Sequence, residues 1–195
     1  GINQAVIDAL PIFREKCPEL QYIHLTGIKQ HDEVVAAYQK MGMKAAVRPF
    51  LTEMEYALGA ATASISRSGA SSLAEIAAFE LPSLLVPYPH AADDHQYYNG
   101  LLFQEAGAAQ MAAQGGLNPE KLVRLTLPLL LDEQVRNTMM GNLRKLGVKE
   151  AAQKIAARIL EEIGQGERVK KSGMEDEEGW LKTAMENGDL PSWKK

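Results

Sequence analysis

Cysteine is almost missing: Cys17 is the only one in 195 residues, so no disulfide can close within the chain and nothing points to an oxidising compartment. Its neighbours offer no activating partner, and a reactive thiol is not expected. Long apolar runs are missing too, with no stretch approaching the roughly 20 residues that span a bilayer. The start, GINQAVIDAL, has no basic segment leading into an apolar core, so no export signal is expected in it. There is no basic excess: 21 Lys and Arg stand against 25 Asp and Glu, a net charge of -4, and nucleic acid is not an expected partner. Internal repeats and low-complexity tracts are absent. What remains, 46% hydrophobic and 24% charged, is an ordinary globular composition, long enough for one α/β domain or a domain with a tail.

Hydrophobic periodicity orders the chain. Ile2, Val6, Ala9, Leu10 and Phe13 recur at helical spacing from Ile2 to Lys16, with Pro11 either bending that helix or restarting it. Leu20 to Thr26 carries β-formers up to Gly27 and reads as a strand. His31 to Met41 is a helix with Gly42 as its C-cap, and Lys44 to Phe50 is the next strand. Thr52 is placed to cap a short helix, with Glu55 completing a capping box. Ala61 to Ser66 reads as a strand, Gly69 to Phe79 as a helix, and Pro82 to Pro87 as a nearly all-apolar strand buried on both faces. A helix over His95 to Ala106 and a short strand over Ala108 to Ala112 follow. Three helices come next: one capped by Asn118 and running through Leu130, one capped by Asp132 and running through Leu146, and one from Lys149 to Ile163. Alternation of this kind predicts an α/β fold, a Rossmann-like parallel sheet with flanking helices. Residues 164–195 read as a charged linker and a loosely attached, disordered or weakly docked tail, with a partner-binding short helix that puts Trp180, Leu181 and Met185 on one apolar face as the alternative.

Chemistry concentrates between Ser64 and Asn99, where three loop-type segments fall at the edge of a parallel sheet that binds ligands in open α/β folds. The turn containing Ser68, Gly69, Ala70 and Ser71 opens a helix whose first amides lack internal partners, and a phosphate suits it. A serine-capped turn with no ligand has the same pattern. Arg67 is open between a phosphate contact and a salt bridge to a helix carboxylate. Glu75, two turns into the helix, can accept two hydroxyl hydrogen bonds from a ribose seated on the helix N-terminus, or simply be solvated. In the loop from His90 to Asn99, Gln96 and Asn99 lie three apart on one helix face and offer amide groups to sugar hydroxyls. Asn99 can equally bond backbone at the helix end. The two histidines and two aspartates of this loop follow no recognised ligand spacing, and no metal is expected.

Read together and in order, SRSGASSLAEIAA, LPSLLVPYP and HAADDHQYYNG resemble the C-terminal, nucleotide-sugar-binding domain of the family 28 glycosyltransferases, two-domain enzymes of GT-B fold. The similarity runs from Gly1 to about Ile163, which implies a donor-binding domain over 1–163 and leaves the tail, 164–195, without a counterpart. The resemblance implies UDP-N-acetylglucosamine (UDP-GlcNAc) as donor and inverting transfer to a lipid-linked muramoyl-peptide acceptor, the lipid I to lipid II step of peptidoglycan synthesis. By the family's pattern the backbone of Leu51 faces the uracil with Met54 nearby. The amides of Ala70 and Ser71 meet the diphosphate, Glu75 the ribose, and Gln96 the N-acetylglucosamine hydroxyls, with His95 and Asn99 beside it.

The same resemblance implies no cofactor and no metal, a catalytic base in an acceptor-binding domain outside this sequence, and peripheral attachment at the cytoplasmic face of the bacterial inner membrane. The family's glycine-rich phosphate loop and the strand before it belong just ahead of Gly1, so the chain is expected to begin inside a domain and not to catalyse transfer alone. Two other readings stay open. One is a GT-B glycosyltransferase with a different lipid acceptor; the other is a non-catalytic donor-binding subunit completed by a separate chain.

Overall fold

A computed structural model describes residues 1–147 and 151–162. The chain divides into a unit from Gly1 to Gly147, which carries all five described strands, and a unit from Val148 on, whose described element is the helix Ala151–Glu162. The tail, with the alternative of a short helix at Trp180, Leu181 and Met185, lies outside the described residues. No described helix is long and apolar enough to cross a membrane.

Within the first unit, α1 (Ile2–Lys16) buries Val6, Ala9, Leu10 and Phe13 and runs through Pro11 without restarting. Pro11 sits on the exposed side, so the helix gives up one hydrogen bond without a core clash. β1 (Gln21–Leu25) pairs in parallel with β2 (Lys44–Arg48), Gln21 opposite Lys44 and Leu25 opposite Arg48. Between them α2 (His31–Met41) stops at Gly42, whose φ of 64° lets its N–H reach the Gln39 carbonyl and the next N–H reach that of Tyr38.

The short helix α3 (Met54–Ala60) departs from expectation at its start. Glu53 is its N-cap, and Thr52 falls one residue outside, where its hydroxyl donates to the Glu53 carboxylate instead of capping an amide. The capping box with Glu55 is not formed.

β3 (Ser64–Ser66), β4 (Ser83–Leu85) and β5 (Gln110–Met111) make a second parallel sheet in that order. β4 is shorter than its apolar run because Pro82 and Pro87 bracket it, neither having an N–H for a ladder. As the run predicted, Leu84, Leu85 and Val86 are fully buried. Ser83, also buried, donates to the Leu81 carbonyl and accepts from Ser64, 2.7 Å in each case. Four helices complete the unit: α4 (Ala70–Ala78), α5 (His95–Glu105), α6 (Pro119–Leu131) and α7 (Glu133–Leu146). Asn118 and Asp132 cap the last two, accepting from Lys121 N and from Gln134 N and Val135 N. α1 packs on α2 and α6, and α7 on α4 and α6, around Leu10, Phe13, Ile76, Leu122, Leu129 and Leu143. α8 (Ala151–Glu162) is a separate helix with Arg158 paired to Glu161 and Glu162 on its surface.

The two sheets are not hydrogen-bonded to one another. β1 and β3 both border the space between the two sheets. An open groove of about 1510 Å³ lies there, lined by Gln21 to Leu25 on one side and Ser64 to Ser66 on the other.

A buried polar network ties the start of α1 to β1. Asn3 donates to the Thr26 carbonyl (2.8 Å) and to Gln30 Oε1 (3.0 Å), while its own oxygen lies 3.2 Å from His24 Nε2. That oxygen only accepts, so the network assigns the proton to Nε2 and leaves Nδ1 to accept from Tyr38 Oη at 3.0 Å. Burial holds the His24 pKa below its ordinary 6.5, so the unfolded chain binds the proton first as pH falls. His24 therefore contributes its full stability above about 6.5, and the contribution is lost as pH drops through the lowered folded value. In His24→Gln the fall of melting temperature on acidification below that point should flatten. A variant whose acid limb is as steep as wild type contradicts this assignment.

Candidate functional site

Strand exits and helix starts meet at the carboxyl edges of the two sheets. The turn between β3 and α4 is built by Gly69, extended at φ -68° and ψ 150°, which acts as N-cap without a side chain to close the helix. The α4 backbone bonds begin with Leu73 N to Gly69 O (3.0 Å), so the amides of Ala70, Ser71 and Ser72 have no partner inside the helix. A serine cap is not used. Ser68 is fully buried, and its hydroxyl points away, donating 2.6 Å to the carbonyl of Gln96. Ala70 and Ser71 are exposed, leaving the first turn open to an anion.

Glu75 follows on the same face as Ser71 and Ser72, four and three residues on. It is exposed and stands roughly 7.5 Å along the axis from Ala70 at the usual rise. Met54, Arg67, Ser72 and Glu75 all border the groove between the sheets, together with Gly1. Leu51 is half-buried in the loop after β2 and does not border that groove.

Arg67 makes no salt bridge to a helix carboxylate and bonds carbonyl and carboxamide oxygens instead. Its Nη1 donates to the carbonyls of Val86 and Pro87 (both 3.0 Å), its Nη2 to Gln114 Oε1 (2.7 Å), and its guanidinium carbon lies 5.3 Å from the centre of the Tyr88 ring. Burial draws its pKa down, opposed by the Tyr88 phenol. The side chain thus fastens the exit of β4 to the turn.

The loop beyond that exit is strained at Asp93 and Asp94, both left-handed at φ 49° and 51°, a conformation aspartate tolerates better than most residues. His95 Nδ1 is 2.8 Å from the Ala92 carbonyl, which only accepts, so Nδ1 is the donor. Gln96 Oε1 accepts from the Tyr88 amide (3.0 Å), so the carboxamide offers its NH2 outward, and Nε2 lies 3.9 Å from where a Cβ on Gly69 would stand. Asn99 Nδ2 donates to the Ser68 carbonyl at 3.4 Å.

Gln96 and Asn99 therefore both approach the turn before α4. Tyr88, Gln114 and Gly100 are supports that the sequence did not single out. A buried glycine inside a helix is itself a sign of close backbone approach, and Gly100 carries that sign. Among the described residues no cluster of three or more His, Cys, Asp and Glu could hold a metal ion.

Comparison with known proteins agrees with this architecture. The family described as the glycosyltransferase family 28 C-terminal domain matches residues 1–155. A relative from Leuconostoc citreum, a UDP-N-acetylglucosamine--N-acetylmuramyl-(pentapeptide) pyrophosphoryl-undecaprenol N-acetylglucosamine transferase, is 35% identical over 165 residues, covering 83% of this chain and 44% of the relative. One of the same name from Agrobacterium fabrum is 40% identical over 140 residues, covering 72% and 37%. Among solved structures, Acinetobacter baumannii MurG superposes with a TM-score of 0.68 at 25% identity, over 82% of this chain and 49% of that one. The chain spans less than half the length of these relatives.

Proposed function

The chain belongs to the family of glycosyltransferase family 28 C-terminal domains, and on that premise we propose that it forms the UDP-GlcNAc-binding half of an inverting N-acetylglucosaminyltransferase. In this reading the whole enzyme transfers N-acetylglucosamine to a lipid-linked muramoyl-peptide acceptor, as the names of its relatives describe. Such an acceptor calls for peripheral attachment at the cytoplasmic face of the membrane, with its own binding site and the catalytic base in the other half. The donor-binding domain is assigned to 1–163, and the tail to 164–195.

One observation carries the reading: an uncapped helix N-terminus, a carboxylate farther along the same helix and a carboxamide NH2 converge at one sheet edge. The amides of Ala70 and Ser71, with the bare backbone of Gly69, suit the diphosphate. Glu75 suits the ribose hydroxyls, the Leu51 backbone and Met54 the uracil, and Gln96 Nε2 a hydroxyl of the sugar with His95 and Asn99 beside it. Arg67 and Ser68 serve these positions through the groups they bond. As the anomeric bond to UDP breaks, negative charge grows on the diphosphate, where helix-end amides stabilise it without reorganising.

Titration with UDP-GlcNAc, UDP, ADP and free N-acetylglucosamine tests the reading. Both uridine nucleotides should bind saturably, and the free sugar should not. Binding of ADP as tightly as UDP, or of no nucleotide at all, contradicts it.

A further inference from the structure

Ser68 lies in the turn that leads into α4, yet its side chain turns inward to α5. Three α5 positions on one helix face, 96, 99 and 100, close on this single residue. Its hydroxyl donates to the Gln96 carbonyl at 2.6 Å, and its own carbonyl accepts from Asn99 Nδ2 at 3.4 Å. The backbone at Gly100 approaches so closely that an added Cβ would stand 3.3 Å from Ser68 Cβ, 3.4 Å from Ser68 Oγ and 3.1 Å from Met111 Sδ. We propose that Ser68 is a positioning residue that locks the start of α5 against the phosphate-type turn and so sets where Gln96 and Asn99 meet the hexose of a UDP-sugar.

The Gln96 carbonyl is part of α5, and a carbonyl has two lone pairs, so the Ser68 hydroxyl can bond it without displacing a helical hydrogen bond. That bond resists sliding of α5 along the turn. The Gln96 side chain is aimed independently, by the Tyr88 amide on its oxygen, so its NH2 direction depends on the position of the helix rather than on a free rotamer. Amides on α4 reach a diphosphate without help from α5, whereas hexose contacts from α5 require it in place. The proposal rests on the reading of this edge as a UDP-GlcNAc site.

The test is calorimetric titration of UDP and of UDP-GlcNAc into wild type, Ser68→Ala and Gly100→Ala. In both variants UDP should bind within about twofold of wild type, while UDP-GlcNAc affinity falls roughly fivefold or more, the size of one lost hydrogen bond or its equivalent in misplacement. A general folding defect would instead weaken both ligands together, and equal losses overturn the proposal. So does an unchanged ratio of the two affinities in Ser68→Ala, an outcome that leaves the site reading standing. A wild-type protein that binds neither nucleotide overturns that reading and the proposal with it. Gly100→Ala keeps the hydroxyl and displaces the helix by its methyl group; should Ser68→Ala not fold, an unchanged ratio in Gly100→Ala overturns the proposal on its own.

Discussion

Ala70→Pro should weaken UDP binding by roughly 10-fold or more, the worth of a hydrogen bond to a charged group, while the fold and its melting temperature stay close to wild type. Ala70 is the first helical residue of α4, and its N–H is not used inside the helix, so proline removes a donor without breaking a helical bond. Gly69 before it already has φ -68° and ψ 150°, the extended conformation a following proline requires. Ala70 is exposed, which leaves room for the ring. The substitution therefore separates the amide from the helix that carries it. Uridine, which has no phosphate, should bind the variant as it binds wild type. Undiminished UDP affinity in a folded Ala70→Pro would remove the diphosphate from this turn.

Glu75→Ala should cost a comparable factor, roughly 10-fold, but with a different signature. The carboxylate is assigned to the ribose, which UDP and UDP-GlcNAc share, so both ligands should lose affinity equally. Deleting the 2′-hydroxyl gives the sharper comparison. Wild type should distinguish UDP from 2′-deoxy-UDP, and Glu75→Ala should distinguish them less, because the hydroxyl and the carboxylate are one interaction removed from either side. Glu75 is exposed and outside the core, so stability should be unaffected. If the variant separates the two nucleotides as well as wild type does, the ribose lies elsewhere.

These residues were legible before the fold because their signals are local. A small-residue turn after a strand, an acidic side chain on the helix it opens, and two amides three apart are patterns within a few positions of one another. Caps were legible for the same reason at Asn118, Asp132 and Gly42. Thr52 shows the limit of that locality. A shift of one residue in the helix start turned an expected cap into a contact with its neighbour Glu53.

What stayed hidden depends on distance in space. The partners of Arg67 lie 19, 20 and 47 residues away, and nothing in its own sequence surroundings distinguishes these oxygens from a helix carboxylate. The inward turn of Ser68 is likewise set by α5, 28 residues on. The separation of the strands into two sheets flanking a groove was also beyond reach, since strand order is not written in the periodicity of any one strand.

In the proposed site the donor's diphosphate sits on the N-terminus of α4. Amide chemical shifts followed during titration with UDP-GlcNAc test it most directly. The largest changes are expected at Ala70, Ser71 and Ser72, with Leu51 and the Gln96 side-chain NH2 also moving. UDP alone should reproduce all of these except the Gln96 signal. Saturable binding that leaves the first turn of α4 unmoved would contradict that placement of the diphosphate.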